Sequence, residues 1–198
     1  MNIFRNSKLI GPNNQILKHI IPDELFEELS VMVDRAKKKR KSKYAFLLDH
    51  VNNGQNSYQT TVDVDLFEKS FFFGYLIKMG EHYITRNHKI LGKAPGFYPT
   101  DRIIRLRRNF NHFDHYDFWV NFADKGAINP LHDHPGFLSG VIYFTESFKE
   151  PTIFDNKFKY LGKEKEILMF PSRLIHEVKT YKGSKTRITL SFNLYLVE

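Results

Sequence analysis

The sequence predicts an α+β fold in which N-terminal helices back a β-sandwich or jelly roll. Three observations carry that reading. Apolar residues in the first third recur at helical spacing, and after about Phe97 the period changes to two. Turn residues at Lys125-Gly126, Pro135-Gly136 and Lys182-Gly183-Ser184 separate the later apolar runs. Helices followed by many short strands is the pattern of a layered α+β chain. The 198 residues show no internal repeat and no low-complexity linker. They read as one domain, with 1–96 mainly helical and 97–198 carrying the jelly-roll core.

Taken in order, Pro22 and Asp23 open the first helix. Leu25, Phe26, Leu29, Met32, Val33 and Ala36 give it one apolar face. The basic run Lys37-Lys38-Lys39-Arg40-Lys41-Ser42-Lys43 ends it, where positive charge suits the helix dipole. A polar loop follows at Asn52-Asn53-Gly54-Gln55-Asn56. A second helix is expected from about Asp65 to His88, with Phe67, Phe71, Phe72, Tyr75, Leu76, Met79 and Tyr83 as a wide apolar surface. Arg102-Ile103-Ile104-Arg105-Leu106-Arg107-Arg108 reads as a half-exposed strand. Trp119–Ala123 and Leu138–Phe144 alternate as strands, and Ile167–Phe170 is a buried strand ended by Pro171. The last strand alternates most cleanly. Arg187, Thr189, Ser191 and Asn193 fall on one face, and Ile188, Leu190, Phe192 and Leu194 on the other.

Composition narrows the classes. With 41% hydrophobic residues, 19 of them Phe, the chain can offset its folding entropy by burial, so it is globular. No apolar run is long enough to span a bilayer, and the first residues lack a signal-peptide core. Cysteine is absent, which removes disulfides and thiolate ligands and fits a cytoplasmic protein. The formal charge of +8 favours an anionic substrate or partner. Neither basic run sits in a nucleic-acid-binding motif.

The residues that carry chemistry lie in the second half. In a strand, positions i and i+2 project to one side, so His132 and His134 can share one metal while Asp133 points away. A third ligand must come from another strand, and His176 stands at the end of one. Three protein ligands leave coordination positions open. A local bulge bringing Asp133 to the metal is the alternative. Arg187 lies on the polar face of the last strand. Turned inward it needs a partner, and a carboxylate is the natural bidentate one. His112-Phe113-Asp114, with His115 beside it, offers a second His-x-Asp. It runs too soon into the Trp119 strand and lacks a distal partner, so it reads as a loop or strand edge.

From roughly Trp119 to Asn193 the chain resembles the iron(II)- and 2-oxoglutarate-dependent oxygenases. It looks closest to a branch marked by Trp-x-Asn, His-x-His-Pro, Ser-Gly-Val-x-Tyr, Phe-Pro-Ser-x-x-x-His and Arg-Ile-x-x-x-Phe-Asn. Here these motifs begin at Trp119, His132, Ser139, Phe170 and Arg187. The resemblance implies a double-stranded β-helix, a jelly roll with the metal at its mouth. It implies Fe(II) on His132, His134 and His176, and Arg187 on the distal carboxylate of 2-oxoglutarate. Thr189 and Asn121 accompany Arg187, with Ser139 or Tyr143 adding a hydroxyl. The expected activity is a dioxygenase, a hydroxylase coupling decarboxylation of this small-molecule cosubstrate to oxidation of an unknown substrate.

Two departures stand out. Most of the superfamily has aspartate where His134 stands, and Ala123 stands at the tyrosine of their Asn-x-Tyr-x-x-Gly pattern, which Asn121 and Gly126 otherwise match. Three neutral imidazoles leave Fe(II) at +2, which favours a dianionic cosubstrate, and they are also a good zinc set. Zinc or another divalent metal is therefore expected to substitute in vitro. Two further readings remain open at this level: a cupin-like three-histidine zinc or iron enzyme without 2-oxoglutarate, and a non-enzymatic basic β-sandwich binding module. The cluster Phe110, Phe113, Tyr116 and Phe118 reads as aromatic core, with the lining of a pocket together with Tyr143 as the alternative.

Overall fold

The computed structural model describes residues 3–40, 57–62, 64–87, 104–105, 118–147 and 150–196. Its elements in chain order are β1 (Lys8–Ile10), β2 (Ile16–Ile20), α1 (Asp23–Arg40), β3 (Ser57–Thr61), α2 (Val64–Glu68), α3 (Phe71–Asn87), β4 (Ile104–Arg105), β5 (Phe118–Ala123), β6 (Asn129–His132), β7 (Leu138–Tyr143), β8 (Thr152–Phe154), β9 (Phe158–Tyr160), β10 (Glu166–Pro171), β11 (His176–Val178) and β12 (Arg187–Leu196). The strands form two antiparallel sheets. The major sheet runs β1-β2-β10-β7-β12-β5-β3, with β4 also on β12, and the minor sheet runs β6-β11-β8-β9. This is the jelly-roll arrangement, with helices on one face of the major sheet.

Alternation along the strands builds two cores. Leu190, Phe192 and Leu194 of β12, Leu138 and Ile142 of β7, and Val120 and Phe122 of β5 pack outward against Phe26, Leu29, Met32, Phe72, Leu76 and Met79 of the helices. The opposite face of the major sheet turns toward the minor sheet, where Tyr143, Leu168, Phe170 and Phe154 meet. Ile167 and Met169 serve the first core and Leu168 and Phe170 the second, which is why β10 reads as an unbroken apolar run.

The N-terminal third is less helical than its spacing predicts, because β1, β2 and β3 belong to the major sheet. The β1–β2 hairpin turns at Gly11-Pro12-Asn13-Asn14, where Gly11, Asn13 and Asn14 take positive φ of 78°, 51° and 55°. The expected second helix is two helices. Ser70 breaks it: its hydroxyl donates to the Phe67 carbonyl (2.6 Å) and accepts the Phe73 amide (3.1 Å), so it N-caps α3. The Glu28 carboxylate of α1 accepts the Phe71 and Phe72 amides at 3.1 and 2.9 Å. No described helix is long and apolar enough to cross a membrane. Lys41–Lys43, the Asn52–Asn56 loop, His88, most of the Arg102–Arg108 strand, the His112-Phe113-Asp114-His115 segment, Phe110 and Tyr116 lie outside the described residues.

Candidate metal centre and anion site

β6 and β11 are hydrogen-bonded neighbours in the minor sheet, and their register sets His132 directly opposite His176. β6 ends at His132, and the chain then turns through Asp133 to His134, whose amide donates to the Ser172 carbonyl (2.9 Å). One nitrogen from each of His132, His134 and His176 lies within 4.8 Å of the others. Ring centroids are 4.3 Å apart for His132–His176, 4.8 Å for His132–His134 and 5.1 Å for His134–His176. Asp133 turns away and pairs with Arg173 at 3.1 Å, so no bulge delivers its carboxylate.

The protonation state suits a metal. His132 Nδ1 is 2.7 Å from the Pro130 carbonyl, and His176 Nδ1 is 2.9 Å from the Leu174 carbonyl. A carbonyl only accepts, so Nδ1 carries the proton in each ring and Nε2 keeps its lone pair. Burial lowers the His134 pKa to about 3, helped by His176 and His132. Burial also lowers His176 to about 4, with the His132 charge adding to it. His132 shifts down for the same first reason, with the Pro130 carbonyl and Asp133 partly opposing. All three are neutral imidazoles at neutral pH, the form that binds metal. Trp119 packs against His134 with centroids 5.6 Å apart, and Phe154 and Phe170 flank His176 at 5.6 and 5.0 Å.

A cavity of about 710 Å³, counted out to its open mouth, joins this cluster to the polar face of β12. Its lining includes His134, His176, Arg187, Thr189, Ser191, Asn121, Gln59, Thr152 and Tyr181. Arg187 is 6% exposed. Its Nη2 donates to Thr152 Oγ1 at 3.4 Å, its guanidinium carbon sits 6.0 Å from the Tyr143 ring centre, and its Nε has no hydrogen-bond partner among the described residues. Burial lowers the Arg187 pKa, and Tyr143, Tyr181 and Glu150 oppose the shift. Such a desolvated cation with an unmet donor is prepared for an anion.

The register explains the other predicted residues. β12 lies between β5 and β7, which places Thr189 opposite Asn121 on one side and opposite Tyr143 on the other. Asn121 Nδ2 donates to Ser191 Oγ (2.9 Å) and lies 3.3 Å from Thr189 Oγ1, while its Oδ1 accepts the Trp119 indole N–H (3.1 Å). Tyr143 reaches Arg187 through Thr152, hydroxyl to hydroxyl at 3.0 Å. Ser139 departs from expectation. It is on the correct face of β7 but four residues from Tyr143, and its hydroxyl lies 2.6 Å from Asn193 Oδ1 and 2.9 Å from Ser172 Oγ. Neither Ser139 nor Tyr143 lines the cavity, and Tyr143 meets Arg187 through Thr152 and its ring. Thr152, Tyr181, Ser191, Gln59 and the buried Glu150 went unread in the sequence. Of these only Ser191 had a visible signal, its place on the polar face of β12.

Fold and site together define a jelly-roll protein in which one cavity joins a three-histidine cluster, through His134 and His176, to a buried arginine. Residues 146–193 match a family model described as "Putative 2OG-Fe(II) oxygenase". That span holds His176, Arg187 and Thr189 but not His132 or His134. No curated protein matches the sequence. Among solved structures, the chain is similar to a prolyl-4-hydroxylase of Pseudomonas putida: 13% identity, 92% of this chain and 91% of that one, TM-score 0.51. It is also similar to a Trichoplax adhaerens prolyl hydroxylase in complex with a hypoxia-inducible-factor peptide fragment: 14% identity, 92% and 83% covered, TM-score 0.55. HygX of Streptomyces hygroscopicus, solved with nickel and 2-oxoglutarate bound, shares 9% identity over 98% and 84% of the chains, TM-score 0.55. At these identities the structural likeness is one of fold.

Proposed function

We propose that the protein is an Fe(II)- and 2-oxoglutarate-dependent dioxygenase that hydroxylates a substrate. The observation that carries this reading is one cavity lined both by His134 and His176 of the three-imidazole cluster and by a buried, under-paired arginine. In this reading His132, His134 and His176 hold the metal. The histidine set fits a divalent cation because every ligand is neutral and two have their Nδ1 protons fixed by carbonyls. Iron(II) bound there supplies the redox chemistry by which 2-oxoglutarate and O2 become succinate and CO2, with the second oxygen atom going to a C–H bond.

The chain's own residues supply binding and orientation. Arg187 takes the distal carboxylate through paired N–H donors, with the Thr189 hydroxyl on the same face. Asn121 holds the Thr189 and Ser191 hydroxyls in place and is itself held by Trp119. Phe154 and Phe170 keep water from the inner side of His176.

The test is succinate formation from 2-oxoglutarate, dependent on added Fe(II) and on O2, which proceeds slowly even without substrate. Succinate no higher than in protein-free controls would reject the proposal. The all-histidine ligand set favours one rival, a three-histidine zinc or iron enzyme that needs no 2-oxoglutarate. Tight metal binding with no 2-oxoglutarate affinity would select it.

A further inference from the structure

Two buried polar atoms, on side chains of opposite charge, have no hydrogen-bond partner among the described residues. One is Arg187 Nε and the other is Glu150 Oε2. Glu150 is 8% exposed and stands two residues before Thr152, the residue that accepts from Arg187. Its other oxygen, Oε1, accepts the Lys182 amide at 3.2 Å. Lys182 follows Tyr181, which lines the cavity with Arg187 and whose hydroxyl donates to the Lys185 carbonyl at 2.7 Å. The turn at Gly126 ties in as well: its amide donates to the Tyr181 carbonyl at 2.7 Å, and the Tyr181 amide donates to the Ala127 carbonyl at 2.7 Å. The Glu150 carboxylate is thus tied, through the Lys182 amide, to the braced loop that brings Tyr181 to the cavity beside Arg187, and its charge acts on the guanidinium. Burying one such charge alone is costly, and burying two of opposite sign near each other reduces the cost.

We propose that Glu150 is a built-in counter-ion of Arg187: it balances the guanidinium while the anion site is empty, and so limits how tightly that site holds a carboxylate. The gain is a stable empty site, and the consequence is a weaker, more easily released cosubstrate. The second half of this rests on reading Arg187 as the cosubstrate clamp.

Glu150→Gln isolates the charge, because the amide oxygen can still accept the Lys182 amide. Wild type and variant, each loaded with redox-inert Zn(II), are titrated calorimetrically with 2-oxoglutarate. The variant is expected to bind about tenfold tighter, because it removes one unit charge of the ligand's own sign from the surroundings of the site. A double-mutant cycle with Arg187→Gln, on the stability of the ligand-free protein, reads the pairing without any ligand. Glu150→Gln should destabilise the wild-type background and not the Arg187→Gln background. Equal destabilisation in both, or unchanged or weaker binding where wild type does bind, overturns the proposal. A coupled cycle in a protein that never binds 2-oxoglutarate would keep the counter-ion and reject the oxygenase reading instead.

Discussion

Arg187 brings a charge to a place where water is scarce, and its neighbours only partly satisfy it. Arg187→Ala should weaken 2-oxoglutarate binding on the order of 100-fold, the worth of a charge-assisted pair of hydrogen bonds. Zn(II) affinity should stay within about twofold, because no metal ligand changes. Arg187→Lys should not restore binding, since an ammonium lacks the planar fork. Calorimetry with each ligand separates the two effects. By contrast, His134→Ala should cost more metal affinity than the roughly 10–100-fold that outer-sphere partners are worth. Arg187 was legible because strand alternation and residue type locate it without knowledge of the partner strand; the histidines were legible from residue type and spacing, although β6 ends at His132 and His134 lies beyond it. Thr152, Tyr181 and Glu150 were not. Their roles depend on β8 pairing with β11 and on the loop braced against Gly126, which no local spacing announces.

At the scale of elements, β12 shows how one strand serves two purposes. Phe192 faces the helices and is fully buried, while Ser191 faces the cavity. Phe192→Ala should cost about 3–5 kcal/mol of stability, and Ser191→Ala within about 1 kcal/mol. Equal costs by denaturant unfolding would contradict the two-faced strand. The break between α2 and α3 was missed because Ser70 sits in an otherwise continuous apolar pattern, and only its hydroxyl bonds reveal the cap. Ser70→Ala should cost about 1 kcal/mol. The first helix and β5, β7 and β12 are legible from period, and β10 from its unbroken apolar run. The short β1, β2 and β3 were not, although Gly11-Pro12-Asn13-Asn14 marked a turn.

Across the whole molecule, the helices hold the outer face of the major sheet and leave its inner face for chemistry. The N-terminal strands join these layers, and His19 of β2 is buried there. Its Nδ1 is 2.9 Å from the Ser7 hydroxyl, and its ring meets Phe4 edge-on at 5.5 Å. Burial lowers its pKa, with the nearby His82 adding to the shift. The unfolded chain therefore takes up this proton at a higher pH than the folded one. The contribution is present above about pH 6.5 and is lost as pH falls below it. In thermal unfolding, His19→Gln should flatten the stability decline just below pH 6.5; an unchanged slope would show that His19 contributes nothing to it.

The assignment of three histidines and one arginine to a single cosubstrate site is tested most directly by anaerobic titration. Fe(II)-loaded protein is titrated with 2-oxoglutarate and followed by visible absorption. Wild type should develop the weak charge-transfer band of a keto acid chelated to Fe(II), saturating with 2-oxoglutarate. Arg187→Ala should bind Fe(II) equally and show no band at those concentrations. A wild-type protein that binds Fe(II) and never develops the band would contradict the assignment.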